Sequence, residues 1–233
     1  MSRDKPGRFA GLLWFTSAVF GGFGLFYVRS NIIVSGDAAA TAAKILASEP
    51  MLRAAIVSTL FSNVLLFFFG LSVFHLFKGV HKALATVLLT SILMTVAIAI
   101  VNQFNTLGAL LVLGQADYLN AFNPDQRSVM AMIFLRMSNT GQGLLEIFWT
   151  PYFFSFGLLI VKSRYLPRIL GILLMIMSVG YALNVSTKFL IPHFHPALFT
   201  QLAMSLGALG GIPSILWLLI KGPNVERVAE PAS

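Results

Sequence analysis

The chain of 233 residues contains no cysteine and little charge of either sign. Without cysteine there can be no disulfide, thiol nucleophile, thiolate-bound metal or iron–sulfur cluster. Only 10% of the residues are charged, whereas a soluble domain carries about 25%. The 16 basic and 8 acidic residues are too few to cover the surface of a soluble chain of this length. The composition therefore excludes a soluble enzyme, a nucleic-acid-binding protein and a disordered protein.

Apolar residues are correspondingly abundant. They form 57% of the chain, and the mean hydropathy is +0.84. A membrane-spanning helix needs about 20 mainly apolar residues to cross roughly 30 Å of hydrocarbon. Six stretches meet this requirement, approximately 10–27, 54–77, 83–113, 141–161, 169–191 and 197–220. We therefore predict an all-α, polytopic membrane helix bundle. It forms a single membrane domain over residues 1–233, with a short cytoplasmic tail at 221–233.

The basic residues indicate how this bundle is oriented, because lysine and arginine accumulate in the cytoplasmic connections of membrane proteins. If the N-terminus is cytoplasmic, ten of the 16 lysines and arginines lie on the inner side and six on the outer side. We therefore predict that both termini are cytoplasmic. The net charge of +8 then needs no polyanion, so the predicted partner is the lipid bilayer and not nucleic acid. The sequence leaves the oligomeric state open.

Two connections are predicted to form short amphipathic surface helices. In the first, Asp37 is placed to cap an alanine-rich helix and Pro50 to end it. In the second, residues 123–126 combine a cap residue, a proline and a glutamine at the spacing of a capping box. About fifteen residues should then lie along the membrane or pack on the bundle rather than cross it, and the glycines at 141 and 143 should hinge them to the fourth span. The predicted apolar face of this second helix comprises Val129, Met130, Ile133, Phe134 and Met137.

Polar side chains inside the predicted spans require an explanation, since lipid offers them no hydrogen-bond partner. Glu146 is the only carboxylate within a span. From the helical rise, we place Glu146 about 8 Å, Asn184 about 10 Å and Asn105 about 12 Å below the outer boundary. Narrow polar stripes on four spans are thus predicted to converge on a pocket in the extracytoplasmic half. The candidate pocket residues are Glu146, Gln142, Asn102, Asn105, Tyr181, Asn184, Lys188 and Gln201.

Each of these residues also has a purely structural interpretation. Glu146 is either a proton carrier, a general acid or a ligand anchor, or it forms an interhelical hydrogen bond or an ion pair with Lys188. Lys188 can instead extend its side chain outward to the headgroups. Amides within spans commonly join helices by hydrogen bonds. His193 and His195 alternate in a loop without a third ligand, so no metal and no cofactor are predicted.

Three functions remain open at this stage. The first is binding or transport of a small amphipathic or lipid-like molecule in the polar pocket. The second is a membrane-embedded enzyme acting on a lipid or isoprenoid with Glu146 as acid or base, although no paired acids, histidine cluster or serine nucleophile support it. The third is a structural or signalling partner without a ligand. The catalytic residues of any enzyme activity are unknown.

Several segments resemble the bacterial integral-membrane family known as domain of unknown function 4386. The matching segments are Arg8 to Trp14, Arg29 to Ser48, Phe156 to Ser163, Tyr165 to Leu174, and Gly180-Tyr181. They extend from the first predicted span to the fifth. The resemblance implies a multi-pass protein of the bacterial inner membrane, and it supplies no catalytic residue.

Overall fold

The computed structural model describes the backbone of residues 5–191 and 197–224, and the side chains of 6–24, 30–191, 205 and 208–224. Helices, joined by short turns, account for the regular structure in these ranges, which contain no strand. The α-helices are α1 (Lys5–Tyr27), α2 (Ala38–Ala47), α3 (Glu49–Phe77), α4 (Lys82–Val112), α5 (Pro124–Ser163), α6 (Arg168–Leu190) and α7 (Ala197–Ile220). A π-helical turn at Val28–Ile32 follows α1, and a 3-10 turn at Asp117–Ala121 precedes α5. The predicted all-α class is confirmed.

Four helices, α3 to α6, are long and apolar enough to cross a membrane. They contain the second and fourth predicted spans, and all but the last residue of the third and fifth. The first and sixth predicted spans coincide with α1 and α7, and the described apolar part of α7, Ala208–Ile220, is shorter than a span. The count of six spans therefore stays a prediction.

The first predicted surface helix is α2, and its start is as expected. The Asp37 carboxylate accepts a hydrogen bond of 2.8 Å from the backbone N–H of Ala40. Pro50 does not end this helix, because α2 already ends at Ala47 and Ser48 is its C-cap. Pro50 instead lies in the first turn of α3, where a proline costs no hydrogen bond. As a result, α3 begins five residues before the predicted second span.

The predicted capping box at the start of α5 is also confirmed. The Asn123 side chain accepts from the backbone N–H of Gln126 at 2.9 Å, and the Gln126 side chain accepts from that of Asn123 at 3.0 Å. The separate surface helix and glycine hinge, however, are wrong. A single helix of 40 residues, about 60 Å long at 1.5 Å per residue, continues to Ser163. Gly141 serves packing, since a Cβ atom there would overlap the side chain of Asn102.

Three residues of the predicted apolar face are exposed, and the other two, Met130 and Phe134, are partly buried. Val129, Ile133 and Met137 are 51%, 51% and 50% exposed. The position of this segment along the membrane or on the bundle stays a prediction. The residues that pack into the interior are Ala131, Met132 and Leu135. Apolar residues occur on both sides of this part of α5, so their spacing predicts a helix without telling which side is buried.

The contacts divide the chain into two compact units, each made of separate segments. Unit 1 comprises residues 1–16, 65–96 and 144–233, and unit 2 comprises residues 17–64 and 97–143. The prediction of a single membrane domain stays a prediction. The core of unit 2 is aliphatic and is centred on Ile32, Ile45, Leu52, Ala109 and Leu135. The core of unit 1 is richer in aromatic side chains, including Trp14, Phe69, Phe77, Tyr152 and Phe156.

Aromatic contacts organise the core of unit 1. The Trp14 ring stacks on Phe69 at a centroid distance of 5.0 Å and meets Phe156 edge-on at 5.5 Å. Tyr165, in the turn between α5 and α6, packs against Phe77 at 5.5 Å and is 8% exposed. Tyr165 therefore belongs to the core, while Arg164 and Arg168 on either side of it are exposed.

Helices α5 and α6 approach each other closely at two glycines. A Cβ atom on Gly171 would lie 2.5 Å from the carbonyl oxygen of Gly157, and a Cβ atom on Gly157 would overlap that of Gly171 in the same way. Small residues at such positions let two helix backbones approach closely. The pair therefore fixes how α5 and α6 cross.

We expect Gly157→Ala to lower the thermal unfolding midpoint of the detergent-solubilised protein, because the added methyl group meets backbone atoms that cannot move aside. An overpacked core typically loses about 1–3 kcal/mol. Gly211→Ala is the matched control, since no described atom lies within 4 Å of a Cβ there and alanine is the better helix former. Tryptophan fluorescence during heating measures both variants. Equal midpoints for the two would contradict a close crossing at Gly157.

Candidate functional site

The clearest polar contact in unit 1 joins α5 to α6. The side-chain amide of Asn184 donates a hydrogen bond of 2.5 Å to the Glu146 carboxylate. Both side chains are half-buried. A hydrogen bond to a carboxylate is about twice as strong as one between neutral groups. The sequence prediction placed these residues on facing helices, and the structure brings them into direct contact.

Aromatic rings extend from this contact along both helices. Trp149 and Phe153 lie on α5, at spacings of three and seven residues from Glu146, and therefore on nearly the same helix face. The ring of Tyr181, three residues before Asn184, lies 5.0 Å from that of Trp149 and 5.8 Å from that of Phe153. A carboxylate–amide pair thus adjoins three partly buried rings within unit 1.

Two buried polar atoms of unit 1 lack a hydrogen-bond partner among the described residues. They are the hydroxyl oxygen of Tyr152 and the indole nitrogen of Trp217. Tyr152 is 3% exposed and stacks on Phe153 at 4.2 Å. The Trp217 ring is covered by the ammonium group of Lys221, 4.3 Å from its centroid. Leaving a buried donor unsatisfied costs about 1–3 kcal/mol, so each of these atoms is available to an acceptor group.

Asn102 and Asn105 belong to unit 2, where their hydrogen bonds have a clear packing role. The Asn102 amide donates to the carbonyl oxygen of Ser138 on α5 at 2.9 Å. Its side-chain oxygen accepts from the Asn105 amide at 2.9 Å. The hydroxyl groups of Thr106 and Ser138 are 3.1 Å apart. Asn102 is thus an interhelical link between α4 and α5, and its assignment to a pocket stays a prediction.

The other candidate pocket residues lie at separate places in the fold. Gln142 is half-buried on α5 in unit 2. Lys188 is exposed on α6, four residues beyond Asn184. Gln201 lies in α7, but its side chain falls outside the described ones, as do both predicted loop histidines at 193 and 195. Within the described residues, no three histidine, aspartate or glutamate side chains are grouped to hold a metal ion.

A cleft in unit 2 was not predicted from the sequence. It has a volume of about 520 Å³ and lies between the segment 33–36 and one side of α5. Its lining residues are Ile33, Ser35, Gly36, Met132, Leu135, Arg136, Asn139 and Thr140. Arg136 is one of the six lysines and arginines that are predicted to lie on the outer side. Two residues in the sequence could have indicated this cleft. They are Gly36, whose φ of +80° favours glycine, and the basic residue on the polar side of α5.

An all-α chain with four helices long and apolar enough to cross a bilayer indicates a membrane protein of the helix-bundle class. The model of the family described as Domain of unknown function (DUF4386) matches residues 9–222, so the chain belongs to this family. The resemblance noted in the sequence is thereby confirmed. No curated protein and no solved structure matches the chain.

The contact between Glu146 and Asn184 can be measured by a double-mutant cycle of Glu146→Gln, Asn184→Ala and the double variant. We expect the losses in free energy of unfolding of the two single variants to sum to more than the loss of the double variant. The difference, the coupling energy, should be about 0.6–2 kcal/mol. Unfolding in denaturing detergent gives the free energies. Ser186→Ala is the control on α6, because this exposed hydroxyl donates to the carbonyl of Ala182 in its own helix. Strictly additive effects would show that the two side chains do not interact.

Proposed function

We propose that this protein is a multi-pass protein of the bacterial inner membrane with both termini in the cytoplasm, and that it binds a small amphipathic or lipid-like ligand at Glu146. The exposed surface of the helices supports the membrane placement. In the most apolar window of each of the four candidate spans, only 33–39% of the residues are buried. Large apolar side chains such as Val57, Val101 and Phe104 therefore face outward, as lipid-facing residues do.

The predicted orientation is tested with reporter enzymes fused after residue 233 and within the connection 113–123. We expect a cytoplasmic reporter to be active at the C-terminus and a periplasmic reporter to be active in the connection, since the basic residues favour this arrangement. Fusions in the turn 78–81 are the control and should behave like the C-terminal ones. The opposite pattern at all three positions would invert the proposed topology.

The pair Glu146–Asn184, half-buried beside three aromatic rings, is the observation that carries the ligand proposal. A carboxylate and an amide bind ammonium or hydroxyl groups by hydrogen bonds. Aromatic faces bind apolar groups and also cations. Side by side, the two kinds of surface suit a molecule with a cationic or hydroxylated head and an apolar body. Tyr152 stacks on Phe153, one of these rings, at 4.2 Å, and its buried hydroxyl without a described partner would offer such a ligand a further hydrogen bond.

This chemistry favours binding over catalysis. Glu146 is the only carboxylate in the predicted spans. One of its partners is the Asn184 amide, which can hold and orient a group but does not exchange protons at neutral pH. The hydrogen-bonding groups of this pair therefore account for recognition of a head group.

The ligand proposal is tested by mass spectrometry of small molecules and lipids that co-purify with the protein. We expect a ligand that is present with the wild type, weaker with Glu146→Gln and absent with Glu146→Ala. Glu49→Gln is the matched control, because the described partner of this exposed acid is Arg53 on its own helix. Tyr152→Phe is a second variant, which removes a hydroxyl that has no described partner and should lower ligand retention without loss of stability.

One outcome of this measurement would contradict the ligand proposal. If all variants retain the same molecules as the wild type, and the Glu146 variants differ from it only in thermal stability, the Glu146–Asn184 pair is an interhelical contact and the ligand proposal is wrong.

A further inference from the structure

We propose that the cleft of unit 2 binds a phosphate group through Arg136, and that the headgroup of an anionic phospholipid supplies it. The cleft is distinct in residues and in chemistry from the Glu146 pair. Its one charged lining residue is basic, whereas the unit 1 site is built around an acid.

The guanidinium group of Arg136 has the charge and the hydrogen-bond donors that a phosphate requires. Its side chain is exposed in the cleft, and no described carboxylate forms an ion pair with it. Two other arginines of unit 2 are already engaged. Arg53 pairs with Glu49, and Arg127 donates to the backbone carbonyls of Val112 and Gly114. A planar guanidinium donates two parallel hydrogen bonds to phosphate oxygens, which gives both strength and geometry.

The opposite wall of the cleft suits a bound oxyanion. Ser35 is exposed there and adds a hydroxyl donor. Gly36 follows it with a φ of +80°, and no described atom lies within 4 Å of the position where a Cβ atom would stand. The backbone is therefore open to close approach by a ligand at this point. Arg136 and Ser35 face the cleft from two separate segments, so an anion between them would be held from both sides.

The apolar part of the lining favours a lipid over a free ion. Ile33, Met132 and Leu135 line the cleft together with the polar residues. Its volume of about 520 Å³ is more than ten times the share of one water molecule in the liquid, about 30 Å³. A single phosphate ion would leave the apolar lining uncovered, whereas a phospholipid headgroup with the first part of its acyl chains would cover it.

The expected depth agrees with a lipid source, and this step depends on the proposed membrane placement but not on the Glu146 ligand. Arg136 precedes the start of the fourth predicted span, residue 141, by five residues, or about 7–8 Å along a helix. The headgroup layer occupies roughly 5–7 Å on each side of the hydrocarbon. Arg136 would thus stand at the level of the lipid phosphates.

Native mass spectrometry of the full chain in detergent tests the proposal with phosphatidylglycerol and, as a phosphate-free lipid, diacylglycerol with the same acyl chains. We expect wild type and Arg53→Gln to retain phosphatidylglycerol equally, and Arg136→Gln to bind it at least about tenfold more weakly, as expected for loss of a hydrogen bond to a charged group. Diacylglycerol should bind all three equally. Arg136→Lys keeps the charge but not the two parallel hydrogen bonds, so its affinity for phosphatidylglycerol should be intermediate. This variant tests the proposal even if Arg136→Gln fails to fold.

Titration with inorganic phosphate distinguishes the two sources of the anion. If phosphate leaves phosphatidylglycerol in place on the wild type, the lipid source is supported. If phosphate displaces the lipid from wild type at equal concentration and does not bind Arg136→Gln, the site holds a soluble phosphate, which supports the anion site and overturns the lipid source. Equal retention of phosphatidylglycerol by wild type and the Arg136 variants, or an equal loss with Arg53→Gln, overturns the whole proposal.

Discussion

Close approach of helices at small residues is the contact on which the rest of this structure depends. Lipid tails are as apolar as the helix surfaces, so in a membrane the hydrophobic effect does not hold helices together. Van der Waals contact and hydrogen bonds between helices must do so instead. In unit 1, Gly157 and Gly171 meet between α5 and α6, and a Cβ on Gly11 would lie 2.5 Å from the backbone nitrogen of Leu219 in α7. Larger side chains at these points would separate the helices and open the aromatic core.

Hydroxyl and amide groups serve the same purpose in unit 2. Ser62 donates to the backbone carbonyl of Ser17 at 2.7 Å, and Ser58 donates to that of Phe20 at 2.8 Å, so α1 and α3 are joined by side-chain hydrogen bonds across small residues. Asn102 joins α4 to α5 in the same manner. Most other hydroxyl groups of the described helices donate to a carbonyl one turn earlier in their own helix, as Thr95 does to Ser91. These hydroxyl and amide groups thus bond to one another or to backbone carbonyls, and neither use requires a ligand.

The sequence predicts the features that depend on a few neighbouring residues. The caps at Asp37 and Asn123 follow from side chains that reach only three residues along the chain. The polar stripes of α5 and α6 also predict that Glu146 and Asn184 can meet, since each lies on a narrow face. The buried side of the first part of α5 is not predictable in this way, because its apolar residues surround the helix. Its orientation depends on contacts with distant residues, such as that of Phe134 with Gly108. The Arg136 cleft is missed for the same reason, as it depends on how residues 33–36 lie against α5.

The energetics of the Glu146–Asn184 contact distinguish it from these packing links. Helices α5 and α6 are already held by the crossing at Gly157 and Gly171 and by the ring contacts of Tyr181. An apolar pair at 146 and 184 would continue that packing, and replacing a buried charged group by apolar residues of similar volume is often neutral or stabilising. Packing alone therefore does not require a carboxylate at this position, which carries a desolvation cost that Ser17 and Asn102 do not have. A ligand with a cationic or hydroxylated head would offset that cost when bound, and this is the physical reason to search for one at Glu146 before any other polar residue of the spans.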